Sequence, residues 1–216
     1  MLVVMDLRSR VELPEEAQRR LTTYRAAGAV LLIAVWGWFA LVKNDQTPIF
    51  VYLNIAVHET GHVLFRPFGE LVMLIMGSGF EVVFPFAVGL YFLFRKDLVA
   101  TAVSFGWAAS ALASAATYIA DADDGRLALL GATGPDAAGD WERILGAGFY
   151  DKLFLADRIA GIVRTVGFVL WFLALGIALG TIAWNLSRDR AASRPSRPRT
   201  ELTRPPAVVT DEQMWS

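Results

Sequence analysis

The chain has 216 residues, a net charge of −1 and no cysteine, and 55% of its residues are hydrophobic. The missing thiols exclude disulfides, iron–sulfur clusters and thiolate zinc sites, and the balanced charge offers no global field for nucleic acid. An apolar excess with charges gathered in a few stretches is the composition of an integral membrane protein, not of a soluble domain.

Residues 1–25 carry Asp6, Glu12, Glu15 and Glu16 among Arg8, Arg10, Arg19, Arg20 and Arg25. They lack the short basic start, apolar middle and cleavage site of a secretory signal, so the first span is expected to be an uncleaved anchor. A span needs about 20 mostly apolar residues. Residues 26–42 (slightly short), 71–94, 98–120 and 159–186 meet that requirement. Residues 49–65 form a weaker fifth segment, because Asn54, His58, Glu59, Thr60 and His62 are costly in hydrocarbon. The turn Arg95-Lys96-Asp97 is short and basic, whereas residues 121–158 hold more acidic than basic groups. Beyond 186 the chain is rich in Arg, Pro, Ser and Thr, which predicts a disordered tail over 187–216 that could dock a partner protein.

Arginines flank both the first span and the last, so the positive-inside rule puts both termini in the cytoplasm. Both ends inside require an even number of crossings. The expectation is therefore an all-α polytopic membrane helix bundle of four to five segments, lying in a bilayer such as a bacterial inner membrane. Residues 1–25 form a cytoplasmic segment, 26–186 the membrane domain and 121–158 an external loop. The segment carrying the histidines is partly embedded or re-entrant, dipping in from the outer side.

That segment reads "NIAVHETGHVLF", and it holds the only two histidines of the chain. Residues four apart share a helix face, so His58 and His62 can point at one ion while Glu59 faces a water beside it. This is the zinc-hydrolase arrangement, with Glu59 as general base and Zn2+ as cofactor. A catalytic zinc takes three protein ligands, and without a third histidine or a cysteine the last must be a carboxylate. Asp121 is the first choice, since it ends the third crossing at the outer end and shares a helical face with Ser114 and Tyr118. Asp140 is the second, with capping of a helix near Trp141 as its other reading. Glu81, in the middle of its span near Pro85, is the third, and suits substrate binding or support of a ligand better than ligation. Asp124, beside Gly125, reads as a turn residue. Asn54, one turn before His58, could orient a ligand or a substrate carbonyl. Gly61 leaves room for a second backbone, as from a protein substrate. Arg164 is expected to reach the outer headgroups. Gly106 with Ser110 and Ser114, and the pair Gly176 and Gly180, permit close helix packing, and Trp36, Trp38, Trp107 and Trp171 read as packing or interface anchors.

On His58, Glu59 and His62 in "HETGH", within a membrane-embedded helix followed by further spans, the chain resembles the site-2-protease-like intramembrane zinc metalloproteases. The resemblance implies two histidines and a later aspartate on zinc, the glutamate as base, and membrane-anchored protein substrates cut in or near the bilayer. The family's aspartate lies in an Asp-Gly motif on a later span. Here the nearest match is Asp124-Gly125, outside any span and without the upstream Asn and Pro. Two other readings stand beside the protease: a non-catalytic membrane subunit with a structural metal, and a metal hydrolase acting on lipid or another small molecule.

Overall fold

The computed structural model describes residues 14–44, 48–125 and 138–192, with side chains from residue 51 onward in the second of these. The described residues form helices and turns. In chain order they are α1 (Glu15–Gly37), which continues as a π-helical turn (Trp38–Lys43), α2 (Pro48–Phe65), α3 (Glu70–Phe94), α4 (Leu98–Ala120), the short α5 (Asp140–Leu145) and α6 (Ala156–Ala192). Four helical stretches are long and apolar enough to cross a membrane: Glu15–Lys43, Glu70–Phe94, Leu98–Ala120 and Leu153–Ala192. These are the four expected spans, and α2 is not among them.

Two boundaries differ from the expectation. Helix α1 begins at Glu15, inside the segment assigned to the cytoplasm, and α6 runs to Ala192, past the expected start of the tail. Both extensions are polar, with Glu15, Glu16, Arg19 and Arg20 in the first and Arg188, Asp189 and Arg190 in the second. The rest of the predicted tail, and residues 126–137 of the predicted loop, lie outside the described residues.

Helix α4 is the centre of the bundle, packed against α1, α3 and α6. It can be central because it is narrow: Ala102, Ala108, Ala109, Ala111, Ala113, Ala115 and Ala116 are buried along it. In lipid no hydrophobic force draws helices together, and small residues that let backbones approach supply the packing energy instead. Gly106 fits this rule, since an added Cβ would stand 3.0 Å from Ile33 of α1. Gly176 and Gly180 do not, because among the described residues nothing lies within 4 Å of a Cβ at either, and the expected close packing is not seen between them. Trp36 and Trp171 are buried, the latter donating its indole N–H to the Ile33 carbonyl at 2.8 Å, whereas Trp38 is exposed.

The ends of the bundle are fixed by polar contacts. At one end Arg19 of α1 pairs with Asp189 of α6 at 3.4 Å, Asn185 donates to Thr23 at 3.3 Å, and Arg25 donates to Asp97 in the α3–α4 turn at 3.1 Å. Asp97 also caps α4 by accepting the Ala100 N–H at 3.0 Å. Partial burial pushes its carboxyl up, but the Ala100 N–H and the Arg25 guanidinium outweigh this and hold it below the ordinary aspartate range. At the other end Arg164 donates to Asn44 at 2.7 Å and to Thr117 at 3.1 Å, tying α6 to α1 and α4. Arg164 is partly buried, and its partners Asn44 and Thr117 are neutral acceptors.

Candidate metal centre

Pro48 opens α2, where a missing N–H costs nothing. The helix stops at Phe65 because Pro67 follows in a 3-10 turn and Gly69, at φ +98, takes a conformation that L side chains avoid. The chain thus reverses within a few residues, and α3 runs back along α2. The two backbones come very close: a Cβ at Gly61 would collide with the Met76 carbonyl. The second backbone that Gly61 was expected to admit is therefore α3 of the same chain, not a substrate.

This contact sets the histidines. The His62 Nδ1–H donates to the Met73 carbonyl at 2.9 Å, and His58 Nδ1 faces the Glu81 carboxylate at 3.5 Å. A neutral imidazole that donates through Nδ1 keeps the lone pair of Nε2 for a metal ion. Both Nε2 atoms point to one place. His58 Nε2 and His62 Nε2 are 3.0 Å apart, and Asp140 Oδ2 lies 3.0 Å from the first and 3.1 Å from the second. The side chains of His58, His62 and Asp140 retain only 12%, 18% and 15% of their exposure, so the centre is shielded but reachable. Among the described residues, these three form the group whose potential ligand atoms all lie within 4.8 Å of one another.

Three electron-pair donors facing one another at this spacing repel unless a cation lies between them, as a proton or as a metal ion. A four-coordinate ion with bonds of about 2.0–2.1 Å separates its ligand atoms by about 3.3 Å along each tetrahedral edge. The three separations are close to that edge, and two imidazoles with one carboxylate are a donor set that zinc accepts. The residues present fit the ion. Gly77 of α3 closes one side, where an added Cβ would stand 2.6 Å from His62 Nε2 and 2.7 Å from His58 Nε2.

Asp140, the first residue of α5 and the second choice of the sequence, is the carboxylate that lies with the two histidines. Asp121 ends α4, where its carbonyl accepts the Asp124 and Gly125 N–H groups in a turn, and it is not part of the group. The physical reason lies on the face that Asp121 shares. The Tyr118 hydroxyl there accepts the Asp140 N–H at 2.9 Å, so the start of α5, not the end of α4, reaches the histidines. Nor is Asp140 the helix cap; Gly139 holds that place, and its N–H donates to Glu142 at 3.3 Å. Helix α5 is docked by the Trp141 N–H donating to Ser78 at 3.0 Å, by the ion pair of Arg143 with Glu70, and by Ile144 and Leu145 packed with Leu74 and Ile119.

The remaining candidates sort by position. Glu81 is 3% exposed and stands behind His58, the supporting role that its place in the sequence suggested. Pro85, one turn on, lacks the N–H that would bond the Glu81 carbonyl, which loosens α3 at this level. Asn54 is buried and accepts the Trp107 N–H at 2.9 Å, so the two tie α2 to α4, one turn from the centre. Glu59 is exposed on the outer face of α2, and Tyr118 lies within the field of its carboxylate. Sequence reasoning passed over Ser78 and Gly77, and named Tyr118 only as a neighbour of Asp121 on the face chosen for the third ligand, without a role at the centre. Comparison with protein-family models, with curated proteins and with solved structures finds no match.

Proposed function

We propose that the protein is a membrane-embedded zinc hydrolase that cuts a peptide bond of a membrane protein. The observation that carries this reading is the convergence of His58 Nε2, His62 Nε2 and Asp140 Oδ2 at 3.0–3.1 Å, with Glu59 adjacent in the same helix. When bound there, zinc would polarise a carbonyl and bring the pKa of a water to about 7. Glu59 accepts the proton of the attacking water and returns it to the departing nitrogen. His58, His62 and Asp140 would hold the ion, with the Met73 carbonyl and Glu81 fixing the ring orientations. The apolar helices around the centre limit bulk water and accept a hydrophobic substrate segment.

The basic flanks of α1 and α6 orient their shared end to the cytoplasm, so the centre works at the external side of a bacterial inner membrane. A peptide is preferred over a lipid or small-molecule substrate because Glu59 opens on a face of α2 that also exposes Tyr52 and Val63, a surface suited to an apolar polypeptide segment.

The test is metal content by mass spectrometry on detergent-purified protein, followed by cleavage of a co-reconstituted membrane-anchored peptide. Wild type and Glu59→Gln should hold about one zinc per chain, His58→Ala and Asp140→Ala far less, and only wild type should cleave. Activity surviving in Glu59→Gln would remove the mechanism. Zinc bound without cleavage by any variant would favour the non-catalytic subunit with a structural metal.

A further inference from the structure

Asp140 opens a helix of six residues, far below the length at which a helix supports itself in water. Its first N–H groups have no acceptor within the helix. The Gly139 N–H is taken by Glu142, and the Asp140 N–H by the hydroxyl of Tyr118 at 2.9 Å. The Tyr118 ring also meets the His58 ring edge-on, with centroids 5.7 Å apart. One side chain of α4 thus touches two of the three residues of the centre, and it does so from the helix that packs against α1, α3 and α6.

A phenylalanine would pack against His58 equally well, so packing does not account for the hydroxyl. What the hydroxyl adds is a fixed point for the backbone of Asp140, only a few bonds from Oδ2. Resting on the metal reading above, we propose that Tyr118 is a positioning residue, which sets the Asp140 carboxylate at the distance from the two histidines that a metal ion requires. It acts through Asp140 and does not itself ligate.

The test is a double-mutant cycle on the full chain in detergent, with Zn2+ affinity read by competition with a chelator. The proteins are wild type, Tyr118→Phe, Asp140→Ala and the double variant, all checked for helical circular dichroism. Removing a group that orients a ligand lowers metal affinity by about 10- to 100-fold, which is the loss expected for Tyr118→Phe. In the Asp140→Ala background, where the amide remains but the carboxylate is gone, the same change should cost no further affinity. Equal losses in both backgrounds would mean that the hydroxyl merely holds the fold, and no loss in either would mean that it holds nothing; each overturns the proposal. A second readout uses Co2+ at saturation. The ligand-field spectrum of Tyr118→Phe should move toward that of Asp140→Ala, and a spectrum identical to wild type overturns the positioning role. Wild type that binds neither Zn2+ nor Co2+ would sink the metal reading itself, whereas wild type that binds both with Tyr118→Phe unchanged sinks only the present inference.

Discussion

Gly77 gives the strictest residue-level condition on the centre. Its missing side chain is the space beside the two Nε2 atoms, since a Cβ there would come within 2.6–2.7 Å of both. Histidines on one helix face can move only by leaving their rotamers, which costs about 0.5–1.5 kcal/mol for a shift of some 30°. Each would also break its bond to Met73 or its approach to Glu81. Gly77→Ala is therefore expected to weaken metal binding by about tenfold while leaving the bundle helical, measured as zinc affinity beside circular dichroism. A variant with wild-type zinc affinity would show that no ion sits where the three donors converge. The same scale explains what the sequence could and could not tell. His58 and His62 were legible because a spacing of four on a helix needs no tertiary knowledge. Asp140 lies 82 residues from His58, and preferring it to Asp121 required knowing that the start of α5 rests on Tyr118.

At the scale of elements, the centre is made by three pieces with different standing. Helices α2 and α3 form a hairpin locked by glycine contact, so the two histidines are held whether or not a metal is present. Helix α5 is too short to stand alone and depends on the Trp141–Ser78 hydrogen bond, the Arg143–Glu70 pair and the apolar cluster around Leu74 and Ile119. Binding that requires a docked element stabilises the docking. Hydrogen exchange over residues 140–145 is thus expected to slow when Zn2+ is added, while exchange in α4 changes little. Trp141→Phe, which removes the N–H to Ser78 and keeps the ring, should speed that exchange without metal by several-fold, as loss of a hydrogen bond worth about 1 kcal/mol implies. Exchange in α5 that ignores the ion would separate α5 from the centre. The sequence disclosed the helices themselves, because long apolar runs announce spans, but not the half-polar α2 as partner of α3. Its polar residues argued only that it should avoid lipid.

For the whole molecule, the question is which side of the membrane the centre faces. The start of α1, the α3–α4 turn and the end of α6 meet at one end through Arg19–Asp189 and Arg25–Asp97. The centre, α5 and the Arg164–Asn44 contact belong to the other end. If the four apolar helices each cross once, these two sets face opposite compartments. Because the chain has no cysteine, a single introduced thiol is an unambiguous reporter. Glu15→Cys, Arg95→Cys and Ala192→Cys should react with a membrane-impermeant maleimide from one side of sealed vesicles, and Lys152→Cys from the other. The basic flanks assign the first side to the cytoplasm. An impermeant chelator should then strip zinc from the Lys152 side alone, because the apolar length of the bundle separates the ion from the opposite face. Labelling of Arg95→Cys and Lys152→Cys from the same side would mean that α4, the apolar helix between them, fails to cross. The positive-inside argument would then lose the even number of crossings on which the external position of the centre depends.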